Sequence, residues 1–158
     1  RLIEDFSERM KVNPNALANF NAYLTGFDAT PNVPNCSSGC GAEQLAAYDV
    51  AACKRSVREN LPLGKASIFV APAESTLSSG QRQLGVMIAW RENEREMSAD
   101  DKANIDTTKI FISGKWESAT GAATCPADFT CHLQYIPVAS RCAPYSPGGV
   151  TTYYCSGS

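Results

Sequence analysis

Hydrophobic spacing changes period once along this chain, near Gly64, and that change limits the fold more than any other feature. Before it, apolar residues recur three and four apart, the spacing of one helix face. In residues 42–61, AEQLAAYDVAACKRSVRENL, such a face carries Ala46, Val50, Cys53, Val57 and Leu61. Lys54, Arg55, Arg58 and Glu59 are expected mostly away from it. Pro62 and Gly64 stop this helix. The chain opens on RLIEDFSERMK, where Leu2, Ile3, Phe6 and Met10 fall within roughly one 100° arc of a helix. No Ser, Thr, Asp or Asn precedes this pattern to cap it, so the helix is expected to continue from upstream. Asn13-Pro14 ends it, because the residue before proline is pushed out of the α region. The stripe has two readings: it packs on its own domain, or it waits for a partner.

Beyond Gly64 the pattern alternates. KASIFVA (65–71) reads as a strand, and QLGVMIAWRE (83–92) as a half-buried one with Leu84, Val86, Ile88 and Trp90 on one side. TKIFIS (108–113) is a further strand. CHLQYIPV (131–138) and VTTYYC (150–155) are weaker ones, separated by Pro- and Gly-rich turns. The charge run RENEREMSADDK (91–102) reads as a solvated loop, TPNVPNCSSGCG (30–41) as another, and residues 16–24 as a short helix. Helices first and antiparallel strands later make an α+β chain. With no internal repeat and no second linker, residues 1–158 are expected to form one domain.

Hydrophobic residues make up 44% of the chain and charged residues 19%, enough apolar surface for a real core. The net charge is −2 and the basic residues are scattered. No basic stripe exists to draw in a phosphate backbone, which argues against nucleic acid as a main partner.

Seven cysteines point to an oxidising compartment, where disulfides persist. Zinc would want closely paired ligands repeated twice, but there is no C-x-x-C and only one histidine. Position favours Cys36–Cys40, Cys125–Cys131 and Cys142–Cys155, each closing a short loop, with other pairings open. Cys53 then remains as a free thiol buried in its helix stripe. The same search yields no catalytic, cofactor-binding or metal-binding residue. Any Ser-His-Asp or Cys-His arrangement must use His132, which abuts Cys131 in a strand candidate. No G-x-S-x-G, H-E-x-x-H or phosphate-loop pattern occurs, so a non-enzyme without cofactor is expected.

The stretch ERMKVNP (8–14), followed by CSSGCGAEQLAAYDVAACKRSVRENLPLG (36–64), resembles type IV pilus minor pilins of the PilV kind. VMIAWRE (86–92) is weakly similar to that family's first long strand, and nothing specific matches beyond residue 100. Two departures stand out. The family's apolar amino-terminal half-helix and processing site are absent, and Cys53 stands where the family more often has an aromatic residue. The resemblance implies a pilin-like fold, a helix packed on an antiparallel sheet with disulfide-stapled loops. It implies insertion in the inner membrane of a Gram-negative bacterium through a helix upstream, with the body in the periplasm. Assembly with other minor pilins and major pilin at or near the tip of an extracellular pilus would follow, with no small-molecule substrate. Competing readings are a type II secretion pseudopilin, a secreted disulfide-rich adhesin or binding module, and a secreted hydrolase.

Overall fold

The computed structural model describes residues 1–77, 80–91, 124–139, 142–145, 147–149 and 152–155, with backbone alone for 142–145, 147 and 152–155. Helix α1 spans Leu2–Val12. Glu4 and Asp5 in its first turn and Arg9 and Lys11 in its last complement the helix dipole. It stops where the sequence says it must: Asn13, ahead of Pro14, is extended at ψ 109°. Ile3, Phe6 and Met10 are 1–3% exposed, and Leu2 packs half-buried against the same cluster.

The short helix expected over residues 16–24 reduces to a single 3₁₀ turn at Phe20–Tyr23. The reason is local. Asn19 donates through Nδ2 to the Asn15 carbonyl at 3.0 Å, and Asn13 Oδ1 takes the Asn15 N–H at 3.2 Å. Side chains that bond nearby backbone groups compete with helix continuation.

Helix α2 spans Ala42–Asn60, and Gln44 Oε1 accepts the Gly41 N–H at its start. Ala46, Val50, Cys53 and Val57 line the core as their spacing predicts. Lys54 departs from expectation. It is 5% exposed, and its ammonium donates to Thr25 Oγ1 at 3.4 Å, to the Gly26 carbonyl, and to the Phe27 carbonyl at 3.2 Å. The returning 25–27 segment covers its stem while feeding its head with oxygens, so a charge expected in solvent sits inside. Thr25 also exchanges two backbone hydrogen bonds with Ile68, closing part of the sheet's outer edge.

Past α2 the chain turns through Leu63, at φ +50°, and Gly64. A Cβ on Gly64 would stand 2.3 Å from the Val57 carbonyl oxygen, so only glycine fits this close return. Strands β1 (Lys65–Val70), β2 (Gln83–Trp90) and β3 (Thr130–Pro137) then form an antiparallel sheet with β2 central. Register pairs Ala66 with Ile88, Ile68 with Val86, and Leu84 with Ile136, and these side chains close the core beneath the helices. The half-buried pattern predicts a solvated opposite face. Instead Ser67, Phe69, Met87 and Ala89 are 0–5% exposed. Part of the cause is Gly85: the Phe69 ring occupies the place of its missing Cβ, 2.6 Å away, and lies against the strand opposite.

On β3 only Ile136 is fully buried, while His132 and Gln134 are exposed, so the helical layer does not extend across this strand. Strands β4 (Cys142–Tyr145) and β5 (Thr152–Cys155) form a separate two-stranded ribbon. The strand expected at 108–113 and all but the first residue of the charge run lie outside the described residues.

Candidate functional site

The one surface that the sequence singles out is α1, and the structure gives its two sides different work. The inner side locks the helix to the body through a polar knot. Asn13 Nδ2 donates to the Tyr23 hydroxyl at 2.9 Å and to the Ala42 carbonyl at 2.8 Å. The end of α1, the 3₁₀ turn and the start of α2 are thereby tied at one point. Asn13 and Tyr23 are both wholly buried, and the Phe6 ring meets Tyr23 edge-on with centroids 6.0 Å apart. Burial pushes the Tyr23 hydroxyl up to about 12, against the pull of its Asn13 bond and with the nearby Asp49 carboxylate adding to the rise.

About two turns further along α2 lies a polar group that no motif marks. Asp49 is 3% exposed, and its Oδ2 makes no hydrogen bond. Burial raises its pKa from 3.8 to about 6, with Arg9 pulling in the other direction. The signal is in the spacing: Asp49 follows Ala46 by three and precedes Cys53 by four, which puts it on the apolar face. Cys53, 4% exposed, is a free thiol raised to about 11 by burial, with Lys54 and Arg9 opposing. At neutral pH it is protonated and shielded, unlike a nucleophile.

The outer side of α1 carries Glu4, Asp5 and Glu8, all exposed and opposite the buried stripe. Lys11 pairs with Glu8 at 2.7 Å, and the Arg1 amine with Glu4 at 3.4 Å. Surface pairs of this kind contribute little to stability. This side of α1 is thus exposed and charged.

Disulfides join Cys36 to Cys40 in the loop before α2, and Cys125 to Cys131 at the entry to β3. Register sets Cys142 opposite Cys155 across the ribbon, while their side chains lie outside those described. His132 stands exposed on β3, opposite Ile88. Among the described residues no group of three or more His, Cys, Asp or Glu side chains could hold a metal ion, and no helix is long and apolar enough to cross a membrane.

The described geometry is thus a helix knotted to a body, with one face kept outside. Residues 1–51 match the family model of Tt1218-like proteins, type IV pilin Tt1218. That third of the chain holds α1, the Asn13 knot, the Cys36–Cys40 loop and the first half of α2. The match supports a type IV pilin, and the helix-on-antiparallel-sheet architecture is α+β and pilin-like. A pilin role implies contact with other pilins in an extracellular pilus and association with the cell envelope. No curated protein and no solved structure matches the chain.

Proposed function

We propose that this chain is the body of a minor pilin of the PilV kind, a non-catalytic subunit that primes a type IV pilus and sits at or near its tip. The observation that carries this reading is the match of residues 1–51 to a type IV pilin model, in a segment whose inner face is already spent on the chain's own core. A helix fixed in this way is a rigid stalk for the body and leaves Glu4, Asp5 and Glu8 for neighbours. The apolar membrane helix that the family resemblance places upstream would supply most of the association in the fibre. The body would add a smaller, more polar contact, of the size of transient interfaces below about 1,200 Å².

The test is a clean deletion in the source organism. Surface pili should fall while the amount of major pilin made stays constant. Normal piliation in that strain would count against an assembly role. Coupled with a saturable small-ligand or glycan signal from the isolated body, it would favour a secreted binding module instead.

A further inference from the structure

The seam between α1 and α2 holds one buried carboxylate and one exposed guanidinium, and neither is in an ion pair. Asp49 is 3% exposed with Oδ2 free of any hydrogen bond. Arg9 is exposed and enters none of the ion pairs found among the described residues. Helix spacing puts Arg9 on the shoulder of α1. Phe6, three residues before it, and Asn13, four after, belong to the buried side, while Asp5, four before, belongs to the exposed one. A side chain of that length can lie outward over Asp5 or inward toward the seam, its stem covering apolar surface in either position. Asp5 likewise enters no ion pair among the described residues.

The surroundings of Asp49 leave Arg9 as its available cation. From α1, Arg9 is the group whose charge reaches the carboxyl. From the 3₁₀ turn comes the Tyr23 hydroxyl, which burial pushes up to about 12 and which already takes the Asn13 amide. It stays neutral at any ordinary pH. One turn along α2 stands Cys53, a protonated thiol on which Arg9 also pulls. Lys54, next to it, is spent on oxygens of the 25–27 segment. Lys65, the one charged residue of β1 and β2, is paired with Asp28. A buried carboxyl group relieves its isolation by holding a proton or by meeting a cation, and the seam offers both.

We propose that Arg9 is a proton-exchanged latch on Asp49. While the carboxyl is protonated, the guanidinium lies outside, within reach of Asp5. When the proton leaves for solvent, the guanidinium folds over the shoulder of α1 and closes on Asp49 Oδ2, and no covalent bond changes. The closed latch ties α1 to α2 a second time, beyond the Asn13 knot. It also withdraws one positive charge from the outer side of α1, leaving Glu4, Asp5 and Glu8 less compensated. The latch belongs to the body and does not depend on the pilin reading. Where that reading holds, the side offered to neighbours becomes more acidic as the latch closes.

The experiment is an NMR titration of the 158-residue chain between about pH 4 and about pH 8, following the Asp49 carboxyl carbon and the Arg9 guanidinium nitrogens. Asp49 is expected to titrate near pH 6, with a step at the same midpoint in the Arg9 signals. Arg9→Gln should raise the Asp49 midpoint by about one unit, a tenfold gain in proton affinity, and Arg9→Lys, which keeps the charge, should restore most of it. Asp49→Asn should abolish the Arg9 step. Arg9 is exposed, so its variants are expected to fold. In chemical denaturation Arg9→Gln should unfold earlier than wild type at about pH 8 and together with it at about pH 4, because only the ionised carboxylate engages the latch. An Asp49 midpoint that Arg9→Gln leaves in place, or an Arg9 step that survives in Asp49→Asn, would overturn the latch. An Arg9→Gln loss of equal size at both pH values would make Arg9 a packing residue and overturn it as well.

Discussion

Two buried polar sites lie in the same helix layer, and they are solved in opposite ways. At Asn13 a side-chain amide is enclosed completely, and it is satisfied: its Nδ2 reaches Tyr23 and Ala42 in two other elements, and its Oδ1 takes the nearby Asn15 N–H. At Asp49 a carboxylate is enclosed almost as completely, yet one oxygen has no partner. A buried polar group that is satisfied specifies how elements meet; one that is not costs desolvation at every pH where it is charged. The Asn13 end of α1 is therefore the fixed end of the helix layer, and the Asp49 region is its weak point.

The largest effect expected concerns the apolar contact that both sites flank. Truncating Phe6 to Ala should lower stability by about 3–5 kcal/mol in chemical denaturation, as for a fully buried aromatic. A loss below about 0.5 kcal/mol would mean that the stripe does not hold the fold. Next comes the knot. Asn13→Ala leaves the Tyr23 hydroxyl without its donor and the Ala42 carbonyl without the Asn13 amide, and should cost roughly 1–3 kcal/mol. Tyr23→Phe should cost less, because it removes only one of the amide's partners.

Asp49 should behave in the contrary sense. Its folded pKa, about 6, lies above the ordinary 3.8, so the folded state holds the proton more tightly than the unfolded chain does. Below about pH 4 both states are protonated and nothing is lost. As pH rises from about 4 to about 6 stability falls, and above that the penalty is constant. Asp49→Asn should thus stabilise the body at pH 8 by roughly 1–3 kcal/mol and leave it nearly unchanged at pH 4. A pH-independent effect of this variant would place the carboxylate in a solvated setting and erase the contrast with Asn13. The smallest effect belongs to the far strand: His132→Ala should change stability by no more than about 0.5 kcal/mol.

Much of this layer is legible in the residue order alone. The three-and-four spacing places Ile3, Phe6, Met10, Val50 and Val57 inside, because a helix face is fixed by geometry that neighbours rarely override. Asn13-Pro14 marks the end of α1 for an equally local reason. The features that escape such a reading depend on contacts distant along the chain. Lys54 is buried only because the 25–27 segment folds back to supply its oxygens. The second face of β2 is covered in part because Phe69, sixteen residues before Gly85, crosses to lie against it. The polar knot likewise joins residues ten and twenty-nine positions apart. Asp49 is accessible to spacing but disguised by its type, since a carboxylate on an apolar face is normally a sign that the face ends there.

The central claim, that this body is carried on a pilus, is tested most directly by immunogold labelling of intact cells with an antibody raised against the described body. The account predicts gold at or near the free ends of pili, abolished in the deletion strain. Label confined to the cell surface, with pili present and bare along their length and at their tips, would contradict it.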